Sequence, residues 1–145
     1  MNDHKPVVLF LCTGNSCRSQ MAEAFLRALA GDRYECHSAG TDPAPAVHPA
    51  AVRVMAEKGY DLSGARPKGL KTYLGKLPVA VLITVCDTAS RNCPSLWPGV
   101  RERLHWPFED PALHAGNEAS TLDKFREVRD RIEERVREWT GRRSR

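Results

Sequence analysis

Continuous apolar runs alternate along the chain with stretches whose apolar residues recur every three or four positions. Residues 7–11 (Val-Val-Leu-Phe-Leu) and 79–85 (Val-Ala-Val-Leu-Ile-Thr-Val) are the runs. They read as strands, the second buried on both faces as in a parallel sheet. Residues 19–30 read as a helix with Met21, Ala24, Phe25, Ala28 and Leu29 on one face and Gly31 ending it. Residues 34–38 make a short strand, followed by Ala39-Gly40. The stretch 41–49 holds three prolines and reads as a loop. Residues 50–58 predict a second helix with Val52, Met55 and Ala56 inward. Residues 61–77 carry only a short helix near 68–74, and 101–105 a last, weaker strand. Ser120, with Asp123 three residues on, reads as the N-cap of a long C-terminal helix. Leu122, Phe125, Val128, Ile132, Val136 and Trp139 form its apolar stripe.

Strands that alternate with helices predict an α/β fold. The expected architecture is a three-layer sandwich, a small four-stranded parallel sheet with helices on both faces. Ligands of such sheets bind beyond the C-terminal ends of the strands. At 145 residues the chain is expected to be one domain spanning 1–145, without repeats. The formal net charge of +4 adds little beyond a basic C-terminus, and residues 141–145 read as a disordered, solvated tail. No aromatic residues are interleaved with that tail's basic ones, so nucleic-acid binding is not expected. No apolar stretch is long enough to span a membrane, and the first residues do not resemble a signal peptide. The chain is therefore expected to be cytoplasmic, with reduced cysteines. The five cysteines fit neither a disulfide framework nor a zinc site, the histidines show no ligand spacing, and no metal is expected. Cys36 reads as a packed strand thiol.

The chemistry is concentrated after the first strand, in Cys12-Thr13-Gly14-Asn15-Ser16-Cys17-Arg18-Ser19. The segment lacks the Gly-x4-Gly-Lys-Ser/Thr string of a nucleotide-binding loop. It sets a cysteine and an arginine at a strand-to-helix turn. Successive N–H groups of that turn and of the helix N-terminus suit a tetrahedral oxyanion. Arg18 adds a planar donor pair. The same positive groups favour the thiolate of Cys12. Cys86 follows the second run, and emerges at the same sheet edge as Cys12 if the two strands are parallel. Cys93 stands seven residues on. In a helix that spacing is about two turns, beyond disulfide reach, so a Cys86–Cys93 bond needs the segment to unwind or loop. Asp110, in Trp106-Pro107-Phe108-Glu109-Asp110-Pro111, sits on a proline-stiffened loop and is placed to protonate a leaving oxygen. Its neighbour Glu109 satisfies the same chemistry.

Together the string from Cys12 to Glu23, Ser38-Ala39-Gly40, Cys86 with Cys93-Pro94, and Asp110-Pro111-Ala112 resemble the thioredoxin-coupled arsenate reductases. These share the fold of the low-molecular-weight protein tyrosine phosphatases. The resemblance runs from Val7 to the C-terminal helix. In the phosphatases of this fold an aromatic residue typically follows the Asp-Pro, where Ala112 stands here, and the Cys86/Cys93 pair is not needed. Both differences favour the reductase; the phosphatase is the alternative.

The resemblance implies a relay. Cys12 attacks arsenate held by Thr13, Gly14, Asn15, Ser16, Cys17, Arg18 and Ser19, and Asp110 protonates the departing hydroxyl. Cys86 then attacks Cys12, and Cys93 moves the disulfide outward for thioredoxin to reduce. Electrons come from NADPH through thioredoxin reductase and thioredoxin, with no bound cofactor. Loop support is expected from Asn15, Ser19, Glu23, Ser38 and Lys68. Some members hold potassium through residues matching Asn15, Glu23 and Ser38 plus a Thr and an Asp. Those last two positions fall at Arg66 and Lys68 here, so no potassium site is expected. Lys68 or Arg66 is expected to pair with Glu23 instead. The expected partners are arsenate and thioredoxin, with a monomeric chain. A reductase served by a small thiol would not need Cys93, and an arsenical-sensing regulator would need a DNA-reading element that the sequence does not suggest.

Overall fold

The structure, a computed structural model, describes residues 5–85 and 99–142. Cys86 and Cys93 lie outside them. Four parallel strands, β1 (Val7–Cys12), β2 (Glu35–Gly40), β3 (Val79–Thr84) and β4 (Glu102–His105), form one sheet in the order β2-β1-β3-β4. The two apolar runs are therefore the central pair, and every residue of β1 is buried. Helix α1 (Arg18–Ala30) connects β1 to β2, and α2 (Pro49–Ala56) and α3 (Glu118–Arg142) complete the α-helices described.

Strand alternation divides the core. Val8, Phe10 and Cys12 face one way, packed with Met21, Phe25 and Leu26 of α1, Val54 and Met55 of α2, and the α3 stripe. Val7, Leu9 and Leu11 face the other way, joined by Ala39, Val79 and Leu82. That second face is covered by the segment around a 3₁₀ turn (Leu70–Thr72), through Leu70, Tyr73 and Leu77. The β1–β3 register shifts between Val7 and Val8, which oppose Val79 and Val81. Ala80 is the extra residue, so Val79 and Leu82, three apart, share a face.

Where the structure departs from the sequence pattern, polar contacts or caps explain it. On α1 the buried apolar residues are Met21, Ala22, Phe25, Leu26 and Ala30. Ala24 and Leu29 are half-buried, and Ala28 is exposed. Ser19, Gln20 and Glu23 are buried as well, and they take an arc that hydropathy assigns to water. On α2, Ala51 and Val54 join Met55 inside, while Val52 is half-buried and Ala56 exposed. His48 caps that helix through Nδ1, which accepts from Ala50 N at 3.1 Å, and Pro49 takes the first helical position. Ser120 is not the N-cap of α3. Asn117 is: its Oδ1 accepts from Ser120 N at 2.8 Å and its carbonyl from Thr121 N at 3.0 Å, and asparagine caps as well as serine does. The α3 stripe is buried along its whole length. The helix also includes residues 141 and 142, where a disordered tail is expected; 143–145 lie outside the described residues. Among the described residues no helix is long and apolar enough to cross a membrane.

Candidate active site

Between β1 and α1 the chain turns through residues 13–17, and an outer segment fixes the turn. Thr41, Asp42, Ala44 and His48 donate their N–H groups to the carbonyls of Cys12, Thr13, Gly14 and Ser16, at 3.1, 2.8, 2.9 and 2.9 Å. No peptide here is cis. In a trans peptide the N–H that follows a carbonyl points the opposite way. The N–H groups of Thr13, Gly14, Asn15 and Cys17 are therefore turned to the inside of the loop. Gly40, at the end of β2, makes this fit. A Cβ there would lie 2.5 Å from Thr13 O and 2.9 Å from Asn15 N, too close for any other residue.

The inner face of the loop meets the sulfur of Cys12. Asn15 N donates to Cys12 Sγ at 3.1 Å, and Ser19 Oγ lies 2.8 Å from it. Asn15 is fully buried and adopts the left-handed conformation, φ 50°, which asparagine tolerates better than most residues. Its carboxamide orientation follows from its partners. Oδ1 accepts from Lys68 N at 2.8 Å and Gln20 Nε2 at 3.1 Å, so Nδ2 is the end that donates to Ser19 Oγ, at 2.7 Å.

The opposite wall carries Asp110. Its Oδ2 lies 3.2 Å from Arg18 Nη2, and its Oδ1 accepts from Ala112 N at 3.0 Å, capping a 3₁₀ turn (Pro111–Leu113). Arg18 Nη1 donates to Phe108 O at 3.2 Å, and Arg18 Nε is buried without a hydrogen-bond partner. No side chain caps the N-terminus of α1. A cavity of about 530 Å³ separates the two walls, lined by Cys12, Thr13, Gly14, Ser16, Cys17 and Arg18 on one side and by Phe108, Glu109, Asp110, Ala112 and Leu113 on the other. The cavity is thus lined by a sulfur with donors on it, the side chain of Arg18, a loop with inward N–H groups and a carboxylate. That combination suits a tetrahedral oxyanion.

The other two described thiols both have raised pKa values. Burial, and then the charge of Asp110, push the Cys17 thiol up; its Sγ lies 3.9 Å from Asp110 Oδ1. Burial pushes Cys36 up to about 11. Among the described residues no group of three His, Cys, Asp or Glu could hold a metal ion.

The support residues sit behind the loop with one change of partner. Ser38 Oγ donates to Glu23 Oε1 at 2.5 Å, and Arg27 Nη2 contacts Glu23 Oε2 at 2.5 Å. Neither Lys68 nor Arg66 pairs with Glu23 as expected. Arg27 stands one turn along the same helix and reaches it first, while the Lys68 ammonium turns to Arg66 O at 2.9 Å. Desolvation of the half-buried Lys68 lowers its pKa. Gln20, inside the Cys12–Glu23 string, is a further residue that supports the loop. Its Nε2 lies within 3.0–3.1 Å of Asn15 O, Asn15 Oδ1 and Arg66 O. The predicted relay partners Cys86 and Cys93 fall outside the described residues. The residue before them, Val85, donates to Leu11 O at 2.9 Å, on the strand that ends at Cys12.

Residues 7–144 match the low molecular weight phosphotyrosine protein phosphatase family. Over 134 residues the chain is 40% identical to an arsenate reductase of Halalkalibacterium halodurans, covering 92% of this chain and 94% of that one. It superimposes on a solved arsenate reductase in the phosphate binding state with a TM-score of 0.78 and 31% identity, covering 94% of this chain and 98% of the other. A thioredoxin-dependent arsenate reductase of Corynebacterium glutamicum gives a TM-score of 0.74 at 31% identity, covering 97% of this chain and 63% of that one.

Proposed function

The chain belongs to the low molecular weight phosphotyrosine protein phosphatase family, and from that premise we propose that it is a thioredoxin-dependent arsenate reductase working by a three-cysteine relay. The observation that carries this reading is the pair of partners on Cys12 Sγ, Asn15 N and Ser19 Oγ. They lie at a cavity whose far wall presents Asp110. Ser19 Oγ accepts from Asn15 Nδ2, so its own hydrogen is directed to the sulfur. Two donors on one sulfur favour the thiolate.

Arsenate enters with its oxygens on the inward N–H groups and on Arg18. The Cys12 thiolate attacks arsenic and forms an S–As bond. The departing hydroxyl takes a proton from Asp110 and leaves as water. Cys86, as thiolate, then attacks Cys12 Sγ. The S–S bond forms as the S–As bond breaks, its electron pair stays on arsenic, and arsenite departs. Cys93 attacks Cys86 and returns Cys12 to the thiol state. Thioredoxin reduces the Cys86–Cys93 disulfide with electrons from NADPH through thioredoxin reductase. Arg27 supplies the positive charge at Glu23, so no potassium ion is needed. Potassium titration of the kinetics checks this, and strong activation by potassium but not sodium contradicts it.

A phosphatase is the second reading, because Cys12, Arg18 and Asp110 alone suffice to hydrolyse an aryl phosphate. The exposed Ala112 after Asp110-Pro111 offers no ring to hold a phosphotyrosine. Arsenate-dependent NADPH oxidation, with thioredoxin and thioredoxin reductase supplied, tests the two. Steady turnover that stops when thioredoxin is omitted supports the relay. Aryl-phosphate hydrolysis without any arsenate turnover supports the phosphatase.

A further inference from the structure

We propose that Gln20 is a positioning residue that keeps a hydrogen on Ser19 aimed at Cys12, although it touches neither the sulfur nor the cavity. The inference rests on Cys12 as the nucleophile but not on the identity of the substrate.

Gln20 is 3% exposed, and its amide nitrogen faces three oxygens: Asn15 O, Asn15 Oδ1 and Arg66 O. A buried amide nitrogen can serve such a set only as a donor. That fixes the polarity of everything after it. Asn15 Oδ1 must be the oxygen of the carboxamide, because it also receives Lys68 N at 2.8 Å. Asn15 Nδ2 must then donate to Ser19 Oγ. The oxygen of Ser19 is occupied, and its hydrogen is sent to Cys12 Sγ, 2.8 Å away.

If the Asn15 amide turned over, its oxygen would take the Ser19 hydrogen and the sulfur would lose one donor. Two donors, Gln20 Nε2 and Lys68 N, oppose that turn by meeting Asn15 at Oδ1. Gln20 also holds the carbonyl of Asn15, the one left-handed non-glycine residue among the described ones, and joins it to the segment at Arg66. The amide of Gln20, together with Lys68 N, thus holds in place a hydrogen bond two residues removed from it.

Gln20→Met keeps the length of the side chain and removes the amide. The readout is the pH midpoint of Cys12 alkylation by iodoacetamide in a Cys86→Ser, Cys93→Ser background, with the modified sulfur located by peptide fragmentation. The charged or titratable groups around the loop are Arg18, Glu23 and Arg27 on α1, Asp42 and His48 on the outer segment, Arg66 and Lys68 beside Gln20 and Asn15, Glu109 and Asp110 on the far wall, and the Cys17 thiol within the loop, and none of them changes. Losing a hydrogen bond to a charged group raises the midpoint by about one pH unit, roughly a tenfold loss of thiolate below it.

Ser19→Ala raises the midpoint by a similar amount, and Gln20→Met in the Ser19→Ala background adds nothing further. That non-additivity marks action through Ser19; a general loosening of the fold would shift both backgrounds alike. A wild-type midpoint in folded Gln20→Met, or an added shift in the double variant, overturns the proposal. Gln20→Leu, judged by the same two outcomes, replaces Gln20→Met if thermal melting shows that variant unfolded. Absent arsenate turnover with these shifts intact would overturn the reductase reading and leave the role of Gln20 standing.

Discussion

Cys12 and Cys36 lie on adjacent parallel strands, β1 and β2, and both are buried, at 2% and 4% exposure. Their surroundings differ. Cys36 sits within its strand, and its Sγ donates to Tyr34 O at 3.6 Å, a bond that favours the thiol. Burial dominates there and pushes its pKa to about 11; Arg27 opposes the rise and Glu23 adds to it. Cys12 sits where its strand ends and the chain turns back on itself, so a backbone N–H and a serine hydroxyl reach the sulfur. Cys17 falls between the two cases. It belongs to the same loop, yet burial and the nearby Asp110 carboxylate keep its thiol up. Burial alone makes a thiol inert. A reactive one needs its desolvation offset by donors aimed at the sulfur, and at Cys12 these are the Asn15 N–H of the loop and the Ser19 hydroxyl of α1.

Exchanging the sulfurs is the largest test of that contrast. Cys12→Ser is expected to lower arsenate turnover by about 10³-fold or more, while Cys36→Ser stays within a few-fold of wild type. Steady-state assays with thioredoxin read both, and an inactive but folded Cys36→Ser would break the comparison. Asp110→Asn comes next. It keeps the shape of the far wall and removes the proton donor, with an expected loss of about 10²- to 10⁴-fold in kcat. Unchanged kcat in that variant would assign the proton transfer elsewhere, with the exposed Glu109 the first candidate.

The contrast was half legible in the sequence. The runs at 7–11 and 79–85 announce a parallel sheet because strands buried on both faces leave no room for polar residues. The loop announces itself as a cysteine and an arginine at a strand-to-helix turn. Asn15 and Ser19 are expected as loop support, and the structure sets both against the sulfur of Cys12. The buried face of α1 was not legible, because Ser19, Gln20 and Glu23 are buried by hydrogen bonds that a hydropathy period does not register. Gln20 was missed because one of its partners, Arg66 O, lies 46 residues away in sequence. The partner of Glu23 was open to simpler arithmetic. Arg27 is its i+4 neighbour, and that spacing alone brings opposite charges together on a helix.

Ser19→Ala sharpens the contrast at the level of one hydrogen bond. Turnover at pH 7 is expected to fall about tenfold and to recover as the pH rises past the shifted midpoint. A loss that is the same at every pH would mean that Ser19 only holds the loop together.

The smallest effect belongs to Cys36→Ala, and it appears in stability. Filling the site less well costs about 1 kcal/mol near neutral pH. The pH dependence carries the information. The folded-state pKa of Cys36, about 11, lies above its ordinary value of 9.0. Below pH 9 both states keep the proton, and the stabilisation from the neutral buried thiol is complete. Between pH 9 and about 11 the unfolded chain loses the proton while the folded one keeps it, so stability falls as pH rises. Cys36→Ala removes that contribution. Its stability, measured by urea unfolding, should draw level with that of wild type and then exceed it as the pH climbs through this window, on the order of 2 kcal/mol of relative change across it. A deficit that is constant with pH would mean that the Cys36 thiol ionises as easily as an exposed one, and burial would then not be what separates it from Cys12.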